Sequence, residues 1–206
     1  MSTESPDPAQ LLDEELHRRL FEGRTLLLQG PLEDRNSNRL CSALLLLAAD
    51  DPVADIRLLI NSPGGSVPGM LAIRDCMRAI PNDVVTINLG MAYSAGQFLL
   101  SSGTKGRRAT MPHAKVLLHQ GSAGIGGTAM DIAIQADDLR HTRDVVLGCI
   151  AEDTGQSLER VEEDSRRDRW FTAEEALDYG FVDLVVGSLE DVMPQHRIPI
   201  GLRSAR

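Results

Sequence analysis

No apolar run in this sequence approaches the roughly 20 residues of a membrane span. The amino terminus is acidic and lacks the basic stretch and apolar core of a secretory signal. Basic residues are outnumbered, 21 Lys and Arg against 30 Asp and Glu for a net charge of −9, so no basic stripe is available to neutralise phosphates and nucleic acid is excluded as a partner. Cysteines number three. Cys41, Cys76 and Cys149 are far apart, each inside an apolar helical pattern, which argues against a zinc cluster or a disulfide framework and fits a reducing compartment. Neither a Gly-Lys-Ser/Thr phosphate loop nor a Gly-x-Ser-x-Gly elbow occurs. These absences lead to an expected cytoplasmic protein without metal or cofactor. With 206 residues, 42% of them hydrophobic, the chain fits one domain with a sizeable core.

Strand and helix patterns alternate along the chain, which predicts an α/β fold. Residues 1–10 have the composition of a tail, and 11–22 suit a short helix. Strands are predicted at 25–28, 56–60, 84–89, 115–119 and 181–186, with helices at 36–49, 67–80 and from the Ser94 turn to 101. Leu40, Leu44 and Leu47 share one helical face. The longest predicted helix spans 128–153, with Ile132, Ala136, Leu139, Val146 and Ile150 near one face and Gly155 as its stop signal. Thr172-Ala173-Glu174-Glu175 reads as a capping box opening a helix that ends at Gly180.

Ser94 is the first chemical candidate. It follows an apolar strand pattern within Gly90-Met91-Ala92-Tyr93-Ser94-Ala95-Gly96, and its small neighbours permit close approach of a carbonyl. A helix start there adds free N–H groups and positive potential, as acyl transfer requires. A plain N-cap is the competing reading of an isolated serine. The break Asn61-Ser62-Pro63-Gly64-Gly65-Ser66 follows the preceding strand, and its glycines leave N–H groups uncovered that can face an oxyanion. His119, ending an apolar strand, is the preferred general base over His17, His113, His141 and His196. The carboxylate stays open on spacing alone, with Glu162, Glu163, Asp164 and Asp168 clustered before Trp170. Gly124-Ile125-Gly126-Gly127-Thr128-Ala129 fits a dinucleotide pattern, but it is spaced from its strand and lacks a second βαβ half, so a nucleotide site is set aside.

In order, Leu46-Leu47-Ala48-Ala49-Asp50-Asp51-Pro52, Ile60-Asn61-Ser62-Pro63-Gly64-Gly65-Ser66, Gly90-Met91-Ala92-Tyr93-Ser94, His119-Gln120, Thr154-Gly155-Gln156 and Arg167-Asp168-Arg169-Trp170-Phe171-Thr172-Ala173 make the chain similar to the ClpP family of Clp protease proteolytic subunits across residues 15–187. The resemblance implies a ClpP/crotonase-like fold of repeated ββα units with a protruding long helix, a flexible arm at 1–14, a peptidase domain at 15–190 and a tail at 191–206. It implies Ser94 as nucleophile, His119 as base and Asp168, rather than Asp164, as the group orienting the imidazole. Gly65 and Ala95 N–H groups would then hold the oxyanion, and Gly121, Ser122, Ala123 and Gly124 would line the substrate groove. The long helix would serve as the handle between two stacked heptameric rings. Unfolded polypeptide would be fed by a partner AAA+ unfoldase, which alone uses ATP.

Departures from the family pattern carry their own expectations. Arg166-Arg167-Asp168 stands where the family has Asp-Arg-Asp, which removes a carboxylate used across the ring interface and suggests mixed rings with another ClpP-like subunit, as an alternative to a homomeric tetradecamer. Leu59, Ala79 and Ala109 stand where the family's unfoldase-docking pocket is aromatic, and the chain has only seven aromatics in all, so weak direct unfoldase binding is expected. Gly121 and Ala95 replace a frequent proline and methionine, which bears on substrate preference. Two other functions compete: a regulatory or structural ring subunit with low activity alone, and, far behind, an acyl-CoA enzyme of the crotonase kind.

Overall fold

The computed structural model describes residues 8–121 and 124–188. Ser122 and Ala123 of the expected groove, residues 1–7 of the expected arm, and the expected tail at 191–206 lie outside the described residues. Helix α1 (Pro8–Glu22) begins three residues ahead of the predicted start. Then come β1 (Thr25–Gln29), α2 (Asp34–Asp50), β2 (Ile56–Ser62), α3 (Val67–Ala79), β3 (Val84–Tyr93) and α4 (Ala95–Ser101). The second half comprises β4 (Arg108–Thr110), β5 (Lys115–Leu118), α5 (Ala129–Thr154), α6 (Leu158–Ser165), β6 (Arg169–Phe171), α7 (Ala173–Tyr179) and β7 (Leu184–Val185). This is the α/β architecture expected, a mixed sheet flanked by helices.

Strand pairing follows β1-β2-β3-β4-β7, all parallel, with β5 also parallel to β3 and β6 antiparallel to β5. Alternation along the strands sorts the sheet into two faces. Leu26, Leu28, Leu58, Ile60 and Val84 join the main core with Leu44 of α2, Ile73 of α3 and Phe98 of α4. Leu59, Val85, Ile87, Ala109 and Val186 form a smaller cluster apart from it.

The sheet divides at β3. Its first half, Thr86 to Asn88, pairs with β4, and its second, Met91 to Tyr93, pairs with β5. Against β2 the register jumps from Ile60↔Asn88 to Ser62↔Ala92, so β3 carries two extra residues at a bulge. Side-chain amides satisfy the interrupted backbone: Met91 N–H donates to Asn61 Oδ1 at 3.2 Å and Gly90 N–H to Asn88 Oδ1 at 3.2 Å, while Asn88 Nδ2 donates to the Lys115 carbonyl at 3.1 Å. A predicted six-residue strand thus becomes ten residues long, ending at Tyr93 beside β5.

Helix α5 begins with a capping box between Thr128 and Asp131 and ends at Gly155, which is left-handed at φ 76°. Its apolar stripe is not buried throughout: Leu147 and Ile150 enter the core, while Met130, Ile132 and Ile134 are exposed, so the first half projects from the body. The last turn is anchored by Asp153. This carboxylate, 2% exposed, accepts from Arg74 Nε (3.1 Å) and Nη2 (3.0 Å), Arg78 Nη2 (2.6 Å) and Ser102 Oγ (3.0 Å).

Nearby, buried Arg108 of β4 holds Asp183 in a two-pronged contact, Nε–Oδ2 2.8 Å and Nη2–Oδ1 2.6 Å. Burial pushes the Asp183 carboxyl up, but the Arg108 guanidinium and the N–H groups of Arg108 and Gly106 reverse that and leave it below the ordinary value. A depressed folded-state value adds stability fully present above the unfolded carboxylate value of about 3.9 and lost as pH falls through the folded value. Urea midpoints of the protein and of Asp183→Asn are therefore expected to differ most near neutrality and to converge under acid. A gap unchanged down to full carboxylate protonation would refute this assignment.

Candidate active site

Three strand ends meet where the sheet divides. Ser94 lies between β3 and α4 with φ 55° and ψ −116°, and it is one of only two non-glycine residues with positive φ among the described residues, the other being Arg24. This backbone region is costly for a side-chain-bearing residue, on the order of 1–3 kcal/mol. The surroundings hold it there: Ser94 N–H donates to the Leu117 carbonyl at 3.0 Å, and its own carbonyl accepts from Phe98 N–H at 2.9 Å. All seven residues of α4 are buried, so the turn rests on the interior. Although Ser94 occupies the N-cap position, its hydroxyl makes no capping bond.

The glycine loop after β2 leans against this turn. A Cβ on Gly64 would stand 2.7 Å from Ser94 Cβ and 2.8 Å from the Tyr93 carbonyl oxygen, so only glycine permits the approach. Gly65, at φ 149°, is pinned to Leu32, where an added Cβ would lie 2.0 Å from the carbonyl oxygen. Leu32 N–H donates to the Gly64 carbonyl and Ser66 N–H to the Leu32 carbonyl, both at 2.8 Å. Among the described residues, neither Gly65 N–H nor Ala95 N–H donates a backbone hydrogen bond. The importance of Gly64 was not separated from that of its motif in the sequence; its close approach to Ser94 becomes visible only in three dimensions.

His119 and Asp168 are brought together by the antiparallel ladder of β5 and β6. That ladder ends in the pair Leu118↔Arg169, so the next positions outward on the two strands are His119 and Asp168. His119 Nδ1 and Asp168 Oδ1 are 3.4 Å apart, with the side chains 29% and 62% exposed. Asp164 is engaged elsewhere, by ion pairs with Arg169 and Arg160. Ser94 Oγ makes no hydrogen bond to His119 among the described residues.

The expected groove is only partly seen. Gly121, at φ 74°, and Gly124 are exposed, and a Cβ on either would meet nothing within 4 Å. Trp170, not singled out by sequence reasoning, is half-exposed and stands edge-on to Tyr93, with ring centroids 4.8 Å apart, beside the Ser94 turn. No group of three or more His, Cys, Asp or Glu among the described residues is arranged to hold a metal ion.

Acyl transfer through an activated serine is the chemistry such an assembly of groups suits. The sequence profile of the Clp protease family matches residues 11–188. An ATP-dependent Clp protease proteolytic subunit 3 of Streptomyces coelicolor is 53% identical over 93% of this chain and 88% of its own length. One from Rhodococcus jostii is 54% identical over 89% and 92% of the two chains, and a proteolytic subunit 1 of Corynebacterium jeikeium is 49% identical over 93% and 100%. The chain belongs to the Clp protease family, and it is a peptidase subunit of the serine type. The family assembles as rings that work with AAA+ ATPases. No helix among the described residues is long and apolar enough to cross a membrane.

Proposed function

We propose that Ser94, His119 and Asp168 form the catalytic triad of an endopeptidase whose domain covers residues 15–190. The observation that carries this reading is the strained Ser94 turn, whose hydroxyl is not spent on capping. Ser94 Oγ attacks a peptide carbonyl, His119 takes its proton and passes it to the leaving amine, and water then resolves the acyl-enzyme by the same route. Asp168 orients the imidazole and stabilises its charged form. Gly65 and Ala95 N–H groups receive the oxyanion, each contributing about 3 kcal/mol to the transition state. Gly121 and Gly124 line the path of the extended substrate, and the exposed first half of α5 meets the facing ring.

The chain works in the cytoplasm on unfolded polypeptide delivered by an AAA+ unfoldase. Mixed rings are favoured by the Arg166-Arg167 pair: Arg166, just past the end of α6, pairs with Glu163 of that helix at 2.7 Å, and two like rings would face each other with an arginine where a carboxylate is usual. Leu59 and Ala109 are buried in the smaller apolar cluster and offer no aromatic anchor for unfoldase docking, which then falls mainly to the partner ring.

A fluorophosphonate probe tests both parts. The protein, alone and mixed with a second Clp proteolytic subunit, is expected to take one label per chain, with none on Ser94→Ala. Native mass spectrometry of the same samples is expected to show fourteen-subunit particles only in the mixture. Absence of label in an assembled particle that includes the wild-type chain would favour a regulatory subunit. A stable homomeric fourteen-subunit particle would remove the case for mixed rings.

A further inference from the structure

Beyond Leu118 the ladder between β5 and β6 stops, yet the chain on both sides is held for a further step. Gln120 N–H turns away from β6 and donates to the Ser165 carbonyl at 3.0 Å. Its side-chain Nε2 donates to Ser165 Oγ at 3.2 Å and reaches the Glu162 carbonyl at 3.4 Å, while Ser165 Oγ donates to the Glu162 carbonyl at 3.1 Å. Ser165 is the last residue of α6 and is 1% exposed. Helix ends leave carbonyls unsatisfied, and here those of Glu162 and Ser165 accept from Gln120, which lies 45 positions before Ser165 in the chain.

A closed frame results. One side is the single residue His119, between the Leu118↔Arg169 pair and Gln120; the other is Arg166, Arg167 and Asp168, between Ser165 and the same pair. Both proton-handling side chains therefore sit on short spans pinned at each end. Asp168 is largely exposed, and among the described residues no other hydrogen bond or ion pair holds it. We propose that Gln120 and Ser165 are positioning residues that set the distance between His119 and Asp168, and hence the rate of proton transfer at Ser94. The inference rests on the triad reading above. It assigns to the side chain of Gln120 a role separate from substrate contact.

The test is a double-mutant cycle on the peptide-hydrolysing assembly, any second subunit in it carrying alanine in place of its own nucleophilic serine, using Gln120→Ala, Ser165→Ala and the pair, with Ser94→Ala and His119→Ala as references. Each single change is expected to lower kcat about 10-fold to 100-fold, as small misplacements of catalytic groups do. KM should stay within about two-fold, and the double variant should be little worse than either single one because the two side chains act as a unit. Particle mass and melting temperature identify a variant that has failed to fold or assemble, and Gln120→Met, similar in length without the amide, then replaces it. Normal kcat in folded Gln120→Ala, a loss confined to KM, or strictly additive losses would overturn the proposal. Retained turnover in His119→Ala would overturn the triad reading instead.

Discussion

Replacing Ser94 by glycine is expected to silence the chain and at the same time raise its melting temperature. The first effect follows from loss of the proposed nucleophile, which in a triad acting as a unit costs on the order of 10⁴-fold or more in kcat. The second follows from the backbone. At φ 55° and ψ −116° a serine is strained, whereas glycine is at ease there. Relief of about 1–3 kcal/mol exceeds the roughly 0.5–1 kcal/mol by which glycine loosens the unfolded chain. The net gain corresponds to a few degrees in Tm for a domain of this size. Ser94→Ala supplies the comparison, because alanine removes the hydroxyl and keeps the strain. It should be equally inactive with an unchanged Tm. Differential scanning calorimetry of the three proteins decides the matter, and a Ser94→Gly protein no more stable than Ser94→Ala would show that the turn stores no strain.

The largest stability effect is expected at Asp153. Removing one partner of a buried ion pair leaves the other charge uncompensated, at about 3–5 kcal/mol. Asp153→Ala leaves Arg74, whose side chain is 10% exposed, with only the exposed Glu152 for company, and it also removes the 2.6 Å partner of Arg78. Chemical denaturation should register this full loss, and Tm should fall by about 10 °C or more. Asp144→Ala provides the control: its pair with Arg143 is exposed on both sides and should matter by less than about 1 kcal/mol. Because α5 enters the core only through its last turns, assembly should fail in Asp153→Ala at temperatures where the Asp144→Ala particle remains intact. Equal unfolding midpoints for the two variants would refute the anchor.

Much of this was legible in one dimension because it rests on local rules. The capping boxes at Thr128 and Thr172 and the left-handed glycines at 155 and 180 mark helix ends where they were predicted. Leu40, Leu44 and Leu47 are buried together on the face their spacing implied. What escaped depends on neighbours distant in sequence. Strands β4 and β6 are three residues each, too short to show a period, and exist because β3 and β5 offer them an edge. The predicted strand at 181–186 shrinks to Leu184–Val185, because Phe181 and Val182 are buried in the core outside any ladder. Ile132 continues a helical stripe but is exposed, because that end of α5 lies away from the core cluster. At the site, Ser94 and the glycine loop could be marked by their motifs, whereas choosing among the clustered carboxylates required the resemblance. In the structure, the register that sets Asp168 opposite His119 lies in β6, a strand the sequence does not reveal.

The buried state of α4 divides the proposed reaction centre unequally between the inside of the molecule and its rim. The Ser94 hydroxyl, the proposed nucleophile, stands at the mouth of a helix whose every residue is enclosed, so surface substitutions have little purchase on it. The carboxylate precedes β6, an outer strand three residues long that pairs with β5 alone, and the imidazole follows β5, the strand that carries β6. Loosening there would turn the chemistry off while leaving the hydroxyl in place and the interior intact.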